Sequence, residues 1–339
     1  MSANPVDLKE ARFPASGTLR EKLRLALGYA VLAPSSHNTQ PWHFVLQDDA
    51  VLVCADRTRA LPVADPFDRE LIISCGAALL NLRVALAHFG LAYQITAFPF
   101  HADPDVLAEV KIGGDGFLDS ALAPLFAAIR KRTTNRSDFA DEPVPEALRD
   151  ELRRAAAAEG VALTAVWSER NRDEVADLVA EGDRLQFADP RFRRELAAWM
   201  HSSHRKDGLP AYSQGVSELL DFATPAVSAV VRTFDVGGGV AATHRRLAQG
   251  SPLLVCLSTA SDDAAAWLAT GQALERVLLV AAGAFFDASY LNQPIEHAAL
   301  RPRLKGLMGG DAFPQILLRI GTGAAPKHSP RRSLDEVLW

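Results

Sequence analysis

Apolar positions in the first third of the chain switch between helical and strand periods. Leu19, Leu23, Leu25, Leu27, Ala30 and Val31 recur at three- and four-residue spacings, which predicts an amphipathic helix over 19–32 stopped by Pro34. The apolar runs at 42–46 and 51–55, joined through Asp48 and Asp49, predict a β-hairpin. A helix over 74–89 carries Leu79, Leu82, Leu86 and Phe89 on one face and ends at Gly90, and a strand follows over 93–100. An apolar helix over 118–129 then runs into a basic, polar segment at 130–139. Helices over 147–159 and 172–186 flank a strand over 162–167, and further strands are expected at 253–259 and 288–291. Strands and helices mix without strict βαβ alternation. The predicted class is α+β, with a central antiparallel or mixed sheet flanked by helices.

The helical faces repeat. Laying Gly76 on Gly271 brings Leu79 onto Leu274, Leu82 onto Val277, Val84 onto Leu279 and Ala87 onto Ala282. Each helix follows a strand-rich region and precedes another strand, so the pattern predicts an internal duplication forming a pseudo-dimer. The halves are expected over 1–115 and 116–339. Residues at about 187–250 break the pattern with Asp207-Gly208-Leu209-Pro210, a triple glycine at 237–239 and scattered aromatics, and are read as a lid-like insertion.

A length of 339 residues is enough for one large core or two ordinary ones, and 48% hydrophobic with 23% charged residues is a globular composition. The net charge of −5, without a basic stripe, speaks against nucleic acid as a partner. Cys54, Cys75 and Cys256 form no CxxC pair and lie in apolar surroundings, which predicts reduced, buried thiols in a cytoplasmic protein. The first twenty residues have no apolar stretch that reads as a signal, and the uncharged apolar run at 277–286 is too short to span a bilayer, so no membrane is expected. His201 and His204 form HxxH without a third ligand at a persuasive spacing, so no metal is predicted. No GxGxxG, GxxxxGK[ST] or GxSxG occurs, which disfavours Rossmann, P-loop and α/β-hydrolase chemistry.

Four segments carry candidate chemistry. In Pro34-Ser35-Ser36-His37-Asn38-Thr39-Gln40-Pro41-Trp42, small polar side chains and loop amides suit a flat heterocycle, and Asn38 offers both donor and acceptor. Arg132-Thr133-Thr134-Asn135-Arg136 sets two guanidinium groups and a hydroxyl where they can grip a monophosphate. Gln293-Pro294-Ile295-Glu296 is a strand-to-turn connection with backbone amides to offer. Pro314 to Gly321 reads as a closing strand, with Arg331 and Arg332 as a basic tail behind it.

Together these segments resemble the nitroreductase-like family of FMN-binding proteins over roughly residues 19–339. Their order, with Asp65-Pro66, Arg69-Glu70 and Asp-Gly-x-Pro between them, looks most like its internally duplicated Acg-like branch. The resemblance implies a nitroreductase-like fold with FMN between the halves. It implies that Arg132, Thr134 and Arg136 hold the phosphate, that Pro34, Ser35, Ser36 and Asn38 hold the ring and ribityl side, and that the backbone of Pro294, Ile295 and Glu296 passes the reactive edge. A late basic residue, with Arg331 the expected one, also reaches the phosphate. The implied activity passes electrons from NAD(P)H to a nitroaromatic, quinone or similar small-molecule acceptor, with no covalent catalytic residue. The alternative is a non-catalytic protein that sequesters flavin beneath its lid. Either a monomeric pseudo-dimer or a further homodimer is compatible with this reading.

Overall fold

The computed structural model describes residues 10–113, 116–166, 168–201, 205–210, 224–324 and 327–339. A capping box opens α1, Leu19–Ala30: Thr18 Oγ1 accepts from the Glu21 amide at 3.2 Å, and the Glu21 carboxylate accepts from the Thr18 amide at 2.7 Å. The helix buries Leu23, Ala26, Leu27 and Ala30. The expected hairpin forms as β1, Trp42–Leu46, and β2, Ala50–Ala55, antiparallel with Leu46 opposite Val51. After α2, Arg69–His88, come β3, Tyr93–Ala97, and β4, Val106–Ile112. The sequence reading has no strand at β4, where Glu109 and Lys111 interrupt the apolar run. These four strands form one antiparallel sheet in the order β1-β2-β4-β3.

The expected helix over 118–129 is reduced to a 3₁₀ turn, Ala123–Leu125, and the single turn α3, Phe126–Ile129. Its start is drawn into the sheet instead, because Phe117 and Tyr93 exchange backbone hydrogen bonds at 3.0 and 3.2 Å. Next come α4, Glu146–Ala157, β5, Ala162–Ala165, and α5, Glu169–Ala188. Within the insertion lie α6, Pro190–Trp199, α7, Thr224–Thr233, and α8, Gly237–Gln249. Residues 202–204 and 211–223 of the insertion, and therefore His204, fall outside the described residues, as does Trp167 at the end of the expected strand over 162–167. The chain continues through β6, Leu253–Thr259, α9, Ala264–Gly283, β7, Asp287–Tyr290, α10, Gln293–Glu296, α11, Arg301–Met308, and β8, Phe313–Gly321. The second sheet has the order β5-β6-β8-β7, again antiparallel, so strand order repeats element for element.

In each sheet the second strand leads into a twenty-residue helix, α2 or α9, and these two helices pack together. Gly76 and Gly271 let them touch: a Cβ on Gly271 would lie 2.0 Å from the Ile73 carbonyl oxygen, and one on Gly76 2.4 Å from that of Leu268. Among the described residues, α2 is long and apolar enough to cross a membrane, yet nearly all of it is buried inside the protein. All three cysteines are buried, unpaired thiols.

Each sheet also takes backbone from outside its own four strands. The Phe44 amide donates to Val337 at 2.7 Å and the Trp339 amide to Phe44 at 2.8 Å, laying the C-terminal tail along β1. In the second sheet, Asn135 donates to Ala288 of β7 at 3.0 Å. The insertion grips the first half as well. The Glu195 carboxylate accepts from the amides of Val63 and Ala64 at 2.9 and 2.8 Å, Arg59 pairs with Asp207, and Gln40 donates to the Lys206 carbonyl at 2.8 Å.

Candidate functional site

A cavity of about 580 Å³ opens where the two halves and the insertion meet, within the size range of cofactor and ligand pockets. The loop at 34–38 and the start of α2 supply one wall, the segments at 134–136, 289–296 and 316–319 another, and α5 to α8 a third that is largely apolar.

The loop owes its shape to side chains rather than to glycine. His37, Asn38 and Gln40 have φ of 49°, 54° and 52°, a left-handed conformation that costs a non-glycine residue energy. Ser35 Oγ accepts from the Gln40 amide at 2.9 Å, and Ser36 Oγ donates to the Glu70 carboxylate. Asn38 Nδ2 donates to the carbonyls of Gly208 and Pro330, each at 3.1 Å, while its Oδ1 accepts from Arg331 at 3.0 Å. Pro34, Ser35, Ser36 and Asn38 all line the cavity, as does Arg331, but the Ser36 hydroxyl and the Asn38 amide are engaged by the protein itself. His37 also lines the wall, and burial holds its imidazole down at about 4, so the ring is neutral at ordinary pH.

The phosphate grip expected at 132–136 divides. Thr134 and Arg136 line the cavity, and Arg136 has no hydrogen-bond or ion-pair partner among the described residues. Arg132 does not line it. Its Nη2 donates to the Leu32 carbonyl at 3.1 Å, and its Nε lies 3.5 Å from Glu275, which is wholly buried. The physical reason is charge: burial pushes the Glu275 carboxyl up to about 7, Arg132 pulls it back, and a carboxylate in the core holds on to its counter-ion. Arg132 therefore belongs to the packing between the halves.

The stretch at 294–296 divides in the same way. Pro294 and Ile295 are buried and off the cavity wall. The Ile295 and Glu296 amides close the turn of α10 by donating to the Asn292 carbonyl at 2.7 and 3.0 Å, so neither is free for a ligand. Glu296 does line the cavity, held by Gln186; burial first, then the neighbouring Glu70, pushes its carboxyl well above the usual range.

Three groups on the wall lie outside the expected set. Arg319 of β8 is 1% exposed and donates through Nη2 to the carbonyls of Asn135 and Ser137 at 2.9 and 2.8 Å, leaving buried Nε and Nη1 without partners. Burial, with Arg136 nearby, lowers it to about 10. The buried Tyr290 hydroxyl also lacks a partner. An arginine in the otherwise apolar run Ile316-Leu317-Leu318-Arg319-Ile320 was a readable signal, because a charge in a buried strand needs a reason. The third group is a dyad. The Asp183 carboxylate accepts from His244 Nδ1 at 2.9 Å and from Gln293 at 3.1 Å, and all three residues line the cavity.

Comparison with known proteins adds identity to this geometry. No family model matches the chain. The protein of Mycobacterium tuberculosis named "Putative NAD(P)H nitroreductase acg" is 31% identical over 331 residues, covering 96% of this chain and 97% of its own. A second protein of that organism, also named a putative NAD(P)H nitroreductase, is 32% identical over 333 residues, covering 96% of this chain and 92% of its own. Among solved structures, the FMN and NADPH-dependent nitroreductase NfnB from Sphigopyxis sp. strain HMH is 20% identical with a TM-score of 0.42, covering 63% of this chain and 96% of that one. On the near full-length identity to the two mycobacterial proteins, the chain belongs to the nitroreductase-like family of which Acg is a member.

Proposed function

We propose that the chain is an FMN-dependent oxidoreductase in which NAD(P)H supplies electrons and a small electron-poor acceptor, such as a nitroaromatic or quinone, takes them up. The observation that carries this reading is a set of donors on one wall: Nε and Nη1 of Arg319 and the Tyr290 hydroxyl, buried and without hydrogen-bond partners, together with the exposed guanidinium of Arg136. Burying cationic and hydroxyl donors without partners is costly, and a phosphate dianion would satisfy them together. The residues present fit FMN on that test. Arg136, Arg319, Thr134 and Tyr290 would hold its phosphate, and the wall of Pro34, Ser35 and Ser36 would face the rest. When bound, FMN supplies two-electron hydride chemistry; the chain binds it, orients it and excludes water. The residues at 1–115 and 116–339 act as two halves around that one site, so a single chain suffices to complete it.

One observation favours the second reading, a protein that holds flavin without turning it over. The insertion supplies the apolar third wall and is fastened to the flavin loop itself, the Gly208 amide donating to the Asn38 carbonyl at 3.2 Å. Anaerobic addition of NADPH to the FMN-loaded protein decides between them. Bleaching of the flavin absorbance, reversed by a quinone, is the expected result. A flavin that stays oxidised sinks the reductase reading, and a protein that takes up no FMN sinks both.

A further inference from the structure

The Asp183–His244–Gln293 cluster is built from α5, α8 and α10, elements other than those that carry Arg136, Tyr290 and Arg319. Asp183 is about 1% exposed, and His244 is its only ionic partner among the described residues. Gln293 Nε2 donates to the Asp183 carboxylate at 3.1 Å and so holds the carboxylate that faces His244 Nδ1 at 2.9 Å. This fixes the ring. With Nδ1–H committed to the carboxylate, Nε2 is the nitrogen left over, and it has no partner among the described residues. His244 is about 30% exposed on its side chain and lines the cavity, whose wall from α5 to α8 also carries Phe187, Leu196, Val240 and Leu247. One oriented imidazole in an apolar wall is the arrangement of a pocket that takes a hydrophobic ligand and fixes it by a single polar group.

We infer that His244, positioned by Asp183 and Gln293, is the polar anchor for the electron acceptor, and that this acceptor is an apolar ring system carrying an oxygen that gains a proton on reduction. The inference deepens the flavin reading and rests on it for the source of electrons. Bound flavin would supply the hydride, that is both electrons, and His244 in its doubly protonated form gives its Nε2 proton to the acceptor's oxygen while keeping Nδ1–H on Asp183. The acceptor gains two electrons and two hydrogens, the ring is left neutral, and water returns the proton to Nε2. The hydroxyl so formed then donates to the Nε2 lone pair. His244 therefore recognises the reduced oxygen as well as protonating it.

Calorimetric titration of the FMN-loaded protein with 1-naphthol and with naphthalene tests the anchor without turnover. Wild type is expected to bind naphthol at least tenfold more tightly than naphthalene, and His244→Ala to bind the two alike. Unchanged naphthalene binding in the variant certifies that the cavity is intact; if it changes, His244→Leu, which keeps the side-chain volume, carries the same comparison. A naphthol preference that survives both substitutions overturns the inference. For the positioning residue, ¹⁵N spectra should show the neutral His244 ring protonated on Nδ1 in wild type and losing that preference in Asp183→Asn. A wild-type ring protonated on Nε2 overturns that part. FMN content is measured in each sample. A protein that takes no FMN fails the flavin reading, while the naphthol-to-naphthalene ratio still judges the anchor.

Discussion

Gly76 of α2 and Gly271 of α9 meet where the central helices of the two sheets cross, each standing where a side chain would enter the other helix's backbone. They are also the two positions that register the repeat in the sequence. Equivalent residues that touch each other mark the local two-fold axis of a pseudo-dimer, as an isologous contact does between two chains.

Alanine at either position should therefore be costly. A Cβ 2.0 Å from the Ile73 oxygen on Gly271, or 2.4 Å from the Leu268 oxygen on Gly76, meets rigid helix backbone that cannot step aside. Gly271→Ala is expected to lose about 3 kcal/mol or more in urea unfolding, the upper end for overpacking. Gly238→Ala is the control, because nothing lies within 4 Å of the added carbon, and it should be neutral or stabilising by up to ~1 kcal/mol.

The two arginines of the expected grip should separate experimentally. Arg136→Ala is expected to weaken FMN binding at least tenfold in a fluorescence titration while leaving the unfolding midpoint unchanged, since the exposed Arg136 side chain has no hydrogen-bond or ion-pair partner among the described residues. Arg132→Ala leaves Glu275 buried without its counter-ion and should cost about 3–5 kcal/mol of stability. Equal FMN affinity for wild type and Arg136→Ala would remove that residue from the phosphate wall.

Acid should destabilise the flavin loop through His37. Its folded value of about 4 lies below the ordinary histidine value near 6.5, so between these pH values the unfolded chain binds a proton that the folded chain refuses. The contribution is present above pH 6.5 and is lost as pH falls through 4. It amounts to at most about 3 kcal/mol, less where cavity water reaches the ring. His37→Asn keeps a residue type that tolerates positive φ and removes the titration, so its stability should fall less steeply across this window. Parallel slopes for the two proteins would refute the assignment.

What could be read in the chain depended on whether a signal was local. The hairpin at 42–55 and the alignment of Gly76 with Gly271 rest on short-range patterning, and the structure carries both. The residue order of the loop at 34–38 stands out locally, but the bonds of Asn38 do not: they tie together Gly208, Pro330 and Arg331, partners about 170 to 293 residues away. Arg132 and Arg136 look alike in sequence. Only Glu275, on a helix 143 residues beyond Arg132, tells them apart. The dyad of Asp183 and His244 is hidden for the same reason, being assembled from α5 and α8 at positions 61 apart in the chain.

The fastening of the insertion offers a way to decide between catalysis and storage. Glu195 satisfies the amides of Val63 and Ala64, and Asp207 pairs with Arg59 beside the flavin loop. Glu195→Ala with Asp207→Asn removes both grips without touching the phosphate wall. FMN should then dissociate faster, read as loss of bound flavin on dilution, because a wall held by fewer contacts opens more often. The rate of anaerobic reduction by NADPH discriminates further. If the insertion excludes nicotinamide, loosening it should accelerate reduction above wild type. If the closed cavity is the working enzyme, wild type should be reduced at least as fast as the variant, since a loosened wall readmits water and no longer holds the nicotinamide in place.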